Sequence, residues 1–114
     1  MFAELARNFA AFRDGSEGYK ARLYVGHDGS LVRLAKGLGL GADAPLRWPA
    51  LGSEVMMEVW KTGEGQGEMY VRVMHEGTAV PALAWVPLDA FIERLHAQVP
   101  AGIFEACTGS TAAS

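Results

Sequence analysis

Cysteine occurs once in this sequence, at Cys107, so the chain can close no disulfide within itself and has no thiol pair for a zinc or redox site. Lysine is scarce as well. Three lysines and seven arginines are scattered among thirteen acidic residues, giving a formal net charge of -3. A basic stripe able to follow a nucleic-acid backbone is missing, which excludes nucleic acid as an expected partner. Long apolar runs are missing too. No stretch approaches the roughly 18 residues that would cross a bilayer, so no membrane partner is expected. Glu4 and Arg7 interrupt the N-terminal residues where the apolar part of a signal peptide would lie. As given, the chain reads as soluble and untargeted, and its compartment stays open.

What is present is apolar residue in quantity: half of the 114 residues are hydrophobic, enough for one core and too few for two ordinary domains. Phe2, Leu5, Phe9 and Phe12 recur at spacings of three and four, which predicts a helix over Phe2–Arg13 ended by Asp14-Gly15. From Lys20 to Val25, Ala21, Leu23 and Val25 alternate with Lys20, Arg22 and Tyr24, the pattern of a strand entering the core. Gly26-His27-Asp28-Gly29-Ser30 breaks it. Ser30 is a good N-cap for a short helix carrying Leu31, Leu34, Ala35 and Leu38, stopped by the glycines at 37, 39 and 41. Ala42 to Leu51 reads as a loop that packs through Leu46 and Trp48.

Two runs of strand type follow, Ser53 to Trp60 and Glu68 to His75, joined by a glycine-rich link that makes an antiparallel hairpin the direct reading. Glu76-Gly77 turns the chain again. Pro87 suits the first turn of a last helix whose buried face is Leu88, Phe91, Ile92 and Leu95. The tail after Pro100 ends in small polar residues and is expected to fray. No repeat and no linker divides the sequence, and the pattern mixes α and β.

The chemistry-bearing feature is the junction at His27-Asp28. A strand that delivers these side chains just before a helix N-terminus puts them in the usual ligand position of an open α/β sheet, with the positive end of the helix beside them. Such a turn suits a phosphate, with His27 bonding its oxygens and Asp28 able to give a proton to a departing alcohol. Read locally, the same residues serve equally as a cap: Asp28 or Ser30 bonding the helix end, His27 an ordinary loop residue, and Gly26 and Gly29 permitting the turn.

The segment Tyr19-Lys20-Ala21-Arg22-Leu23-Tyr24-Val25-Gly26-His27-Asp28-Gly29-Ser30-Leu31, followed by Leu38-Gly39-Leu40, resembles the histidine acid phosphatases. The similarity continues in order through Trp48-Pro49-Ala50-Leu51-Gly52-Ser53, Glu58-Val59-Trp60, Tyr70-Val71-Arg72-Val73-Met74 and Val86-Pro87-Leu88-Asp89-Ala90-Phe91. It covers nearly the whole chain. The resemblance implies an α/β fold, in which residues 1–114 are the C-terminal part of a phosphoglycerate mutase-like domain, containing the strand-turn-helix and the hairpin of a sheet with helices on both faces.

It also implies a phosphomonoester hydrolase that works through a phosphohistidine and takes a phosphomonoester substrate, with no cofactor. In that family the attacking histidine lies in an Arg-His-Gly motif near the N-terminus. No Arg-His-Gly occurs here. Carried onto this sequence, His27 binds the transferring phosphoryl group, and Asp28 protonates the leaving oxygen and later helps to activate water. Members commonly carry a cysteine pair before the last helix; here Pro81-Ala82-Leu83-Ala84-Trp85-Val86 has none, and a disulfide at Cys107 would need a partner upstream. Family members are often secreted, lysosomal or vacuolar, and this sequence does not choose among those sites.

The other candidates carry less. Gly37-Leu38-Gly39-Leu40-Gly41 follows a helix and lacks nucleotide-loop spacing. His75 and His96 lie on separate elements without a second ligand at metal spacing, so no metal is proposed. Met56, Met57, Met69 and Met74 read as core filler, and Trp60 and Trp85 as packing residues. An apolar strand at Lys20 to Val25 without neighbours is an aggregation hazard: either a segment outside this sequence covers it or the chain self-associates through uncovered strands, and truncation is the simpler explanation. The competing reading of the whole chain is a noncatalytic α+β module that binds an anion or a partner protein and keeps the His-Asp turn only as structure.

Overall fold

The computed structural model describes residues 1–41, 47–63, 67–102 and 107–109. The first helix, α1, runs Phe2–Arg13 as its periodicity predicts, and Asp14 caps it with Gly15 following at positive φ. Its buried stripe is centred on Leu5 and Ala6, with Phe2 and Phe9 packed beside them. Phe12 falls at the rim of that stripe and stays exposed. The last helix, α3, runs Leu88–His96 and buries all four expected residues, Leu88, Phe91, Ile92 and Leu95. Pro87 stands one residue before it, at the N-cap, because its backbone already belongs to a short strand. α1 and α3 meet through Phe9 and Phe91, whose rings cross edge to face at 5.4 Å and 86°.

Four strands form an antiparallel sheet: β1 (Val55–Lys61), β2 (Met69–His75), β3 (Thr78–Ala79) and β4 (Val86–Pro87). The expected hairpin is present, with Val55 opposite His75 at one end and Lys61 opposite Met69 at the other. The strand period of two sorts its side chains. Val55, Met57 and Val59 share a face with Val71 and Val73 and pack into the core. Met56, Glu58 and Trp60 share the opposite face with Tyr70, Arg72 and Met74. Glu76 and Gly77, both at positive φ, make the two-residue turn into β3, the handedness that a twisted hairpin favours. A 3₁₀ turn at Pro81–Leu83 then returns the chain to β4, on the far end of β2.

The second helix, α2, spans Asp28–Gly37 and brings Ala35, and Leu38 and Leu40 just beyond it, into the same core. Gly37 lies tight against α1: a Cβ there would stand 2.2 Å from the tip of the Phe2 ring, which would have to move. Arg94 on α3 donates to the Leu38 carbonyl at 3.1 Å, satisfying one of the acceptors a helix end leaves open. Among the described residues the fold is therefore α+β, three α-helices and a four-stranded antiparallel sheet.

Several expectations are corrected. Lys20 to Val25 forms no strand, so the expected strand-turn-helix is reduced to a turn and a helix. Among the described residues no backbone–backbone hydrogen bond involves residues 20–26, and Leu23 and Val25 are 90% and 89% exposed. A strand needs a ladder partner, and none of the described elements lies alongside this segment. Ser30 is not the N-cap of α2. His27 is, because its extended backbone turns its carbonyl to accept the Ser30 and Leu31 N–H groups, and the helix starts earlier than the serine suggested. Trp48 does not pack into the core; it is 66% exposed. Leu46 lies outside the described residues, as does most of the tail after Gly102. Met56 and Met74 depart from core filler, being paired on the outer face of the sheet, with Met56 exposed.

Candidate functional site

The Gly26-His27-Asp28 turn enters α2 directly. His27 has φ -99 and ψ 171, an extended residue, and Asp28 is the first helical one. Backbone geometry therefore holds the two side chains at the open end of α2, where unpaired N–H groups leave partial positive charge. Both residues are exposed. Gly26 lies close against the helix start: a Cβ there would meet the Ser30 Cβ at 3.0 Å and its Oγ at 3.2 Å.

Asp28 is held at both carboxylate oxygens. Oδ1 accepts the Gly29 N–H at 2.7 Å, and Oδ2 accepts the Trp48 indole N–H at 2.7 Å. A carboxylate at the first turn of a helix is also in its favoured electrostatic position. The His27 imidazole, unlike its carbonyl, makes no hydrogen bond among the described residues, so the ring is free to bond a ligand. No ion pair or hydrogen bond joins an arginine or lysine to either residue among the described residues. The turn thus brings together one acceptor group, one free imidazole and a helix end.

Trp48 is the site residue that the sequence reading placed elsewhere. An exposed tryptophan between Arg47 and Pro49 carries one signal: an indole N–H seeks an acceptor even where the ring is not buried. Which acceptor it finds, 20 residues earlier in the chain, depends on how the loop returns over α2.

A second polar cluster lies on the outer face of the sheet. Glu58 Oε2 accepts from Trp60 Nε1 at 2.7 Å and from Arg72 Nη2 at 2.7 Å and Nε at 3.0 Å. Those donors, Trp60 first and Arg72 second, hold the Glu58 carboxyl below the usual glutamate range. The Arg72 guanidinium lies over the rings of Trp60 and Trp85, which themselves meet edge to face at 5.5 Å. Beside them the Tyr70 hydroxyl bonds Glu68, which raises the tyrosine above its ordinary value. Trp60 and Trp85 therefore do pack, but on one another and on Arg72, outside the core.

The His75 ring lies 3.8 Å from the Glu76 carboxylate, and among the described residues no three His, Cys, Asp or Glu side chains cluster as a metal ion would require. No described helix is long and apolar enough to cross a membrane. Cys107 is exposed and unpaired. No protein-family model matches the chain, and no curated protein and no solved structure is significantly similar to it.

Proposed function

We propose that this chain supplies the phosphate-binding and proton-donor side of a phosphomonoester hydrolase of the histidine acid phosphatase type, on a phosphoglycerate mutase-like domain. His27 bonds the transferring phosphoryl group, and Asp28 protonates the leaving oxygen and then assists the water that hydrolyses the phosphohistidine. The histidine that attacks phosphorus, and the arginines that stabilise the equatorial oxygens, are not encoded in this sequence as an Arg-His-Gly motif. Phosphoryl transfer depends on positioning and on positive charge around those oxygens, so this chain alone lacks most of the machinery.

One observation carries the reading: a free imidazole at His27 stands directly before a carboxylate that α2 and Trp48 hold at the positive end of the helix. The test is hydrolysis of an aryl phosphate at mildly acidic pH, by the chain alone and by the chain joined to a segment carrying Arg-His-Gly. The expected result is no turnover alone, and turnover in the joined protein that Asp28→Asn lowers by about 10²–10⁴-fold, the usual scale of general acid catalysis. Turnover by the chain alone that Asp28→Asn abolishes would overturn the division of labour.

The second reading, a noncatalytic module that binds an anion or a partner, is favoured by the engagement of both Asp28 oxygens, which suits a bracing group as well as an acid. Phosphate that perturbs His27 in a protein with no turnover in either form would support it.

A further inference from the structure

Two unsatisfied β-forming features occur in this chain. The first is the outer edge of β1, which among the described residues pairs with β2 alone. The ladder alternates from the Thr62 N–H on the Glu68 carbonyl to the Glu76 N–H on the Glu54 carbonyl, so the even-numbered residues of β1 face β2. The N–H and C=O groups of Val55, Met57, Val59 and Lys61 therefore point to the open side. A seven-residue edge of this composition, with one acid and one lysine, is a template for an added strand.

The second feature is the segment 19–25, bounded by Gly18 and Gly26, alternating in character and, among the described residues, without a backbone–backbone hydrogen bond from residue 20 onward. Within one copy it is held away from β1. Ser16 and Glu17 donate to the Ala11 carbonyl at its start, His27 opens α2 at its end, and the Tyr24 hydroxyl accepts from Asn8 of α1 at 2.6 Å.

We infer that segment 19–25 of one copy adds antiparallel to the free edge of β1 in a second copy, and that two copies exchange this segment reciprocally. The fit fixes the register. With Arg22 opposite Glu58, Leu23 stands opposite Met57 and Val25 opposite Val55, extending the core face of the sheet. On the outer face Lys20 meets Trp60 and Tyr24 meets Met56, a cation against an aromatic ring and a ring against a thioether. The charge pair is available because all three bonds that Glu58 accepts end on Oε2, leaving Oε1 for a new donor. Arg22 gives up its two bonds to Glu17 to reach it. In the same register the odd-numbered residues of the segment turn their N–H and C=O groups to those of Val55, Met57 and Val59. A one-residue slip would move Leu23 and Val25 onto the charged face, so this alignment is favoured over its neighbours. Reciprocal exchange satisfies both edges and closes the assembly as a twofold dimer.

This inference does not depend on the phosphatase reading, and its test reads assembly and not turnover. Sedimentation velocity of the whole chain is expected to show a concentration-dependent monomer–dimer equilibrium. Leu23→Pro, at an exposed residue with no backbone bond to lose in the monomer, is expected to weaken the dimer by about tenfold or more while leaving the circular dichroism of the monomer unchanged. In a Cys107→Ser background, mixing chains that carry Tyr24→Cys with chains that carry Met56→Cys is expected to give an oxidised heterodimer absent from either chain alone. A monomer at every concentration, a dimer indifferent to Leu23→Pro, or crosslinking of Met56→Cys chains to one another would each overturn the inference.

Discussion

The indole N–H of Trp48 donates to Asp28 Oδ2 at 2.7 Å, and this bond ties the loop before β1 to the first turn of α2. It links an exposed ring to the proposed proton donor. Trp48→Phe keeps the ring and removes the donor. Because both partners are exposed, global stability is expected to fall by no more than about 1 kcal/mol. In the converse substitution, Asp28→Ala, the Trp48 indole proton is expected to move toward the chemical shift of a solvated tryptophan. An indole resonance that Asp28→Ala leaves in place would show that the bond does not form in solution.

The contact between Gly37 and the Phe2 ring gives a sharper stability prediction. A Cβ at Gly37 would lie 2.2 Å from the ring, so Gly37→Ala forces α1 or the ring to shift. Overpacking of this kind costs about 1–3 kcal/mol, and urea denaturation is expected to show a loss in that range. Helix propensity alone predicts the opposite sign, since alanine is favoured over glycine inside a helix by about 1 kcal/mol. A stabilised Gly37→Ala protein would mean that the Phe2 ring yields at little cost and does not pack tightly on α2.

Phe91 is fully buried and meets Phe9 edge to face, whereas Phe12 lies at the rim of the same helix pair. Phe91→Ala is expected to cost about 3–5 kcal/mol, enough to unfold a marginal domain. Phe12→Ala is expected to cost far less. Thermal melts of the two variants check the order, and equal losses would contradict the packing described.

The depressed carboxyl of Glu58 sets a pH dependence. Its folded-state pKa lies below the unfolded glutamate value of about 4.3, so its contribution to stability is present above that value and is lost as pH falls through the lower folded pKa. Below both values the folded and unfolded proteins are equally protonated at this site, and the contribution is gone. Glu58→Gln, compared with the unaltered chain, is expected to flatten the decline of the melting temperature in the acid range. Because the cluster is partly exposed, the effect is also expected to shrink in high salt. Identical acid profiles would show that the Trp60 and Arg72 bonds do not favour the charged form.

Elements with a strong internal period were legible in the sequence. α1, α3 and the β1–β2 hairpin appear where their apolar spacing placed them, because each buries a face against a neighbour present in this chain. The segment 20–25 has an equally clear period of two and forms no strand, since alternation encodes a face but not a ladder partner. The start of α2 was misplaced for a related reason. Ser30 has the chemistry of a cap, yet the helix begins where the His27 carbonyl accepts its first bonds, a matter of backbone direction. At the candidate site, His27 and Asp28 were legible as a turn before a helix. Trp48 was not legible as the partner of Asp28, because a contact across a loop follows from the path of the chain and not from local pattern. The outer cluster of Glu58, Trp60, Arg72 and Trp85 was missed similarly: its residues come from β1, β2 and the link before β4, and only the register brings them together.

The proposed role of the His27-Asp28 turn is tested most directly by titrating the folded chain with inorganic phosphate and with vanadate while following the ring resonances of all three histidines by NMR. The account predicts saturable shifts at His27, absent at His75 and His96, together with loss of those shifts in His27→Ala and no hydrolysis of an aryl phosphate by the same sample. Histidine resonances that all move alike, or a His27 ring that ignores both anions, would contradict it.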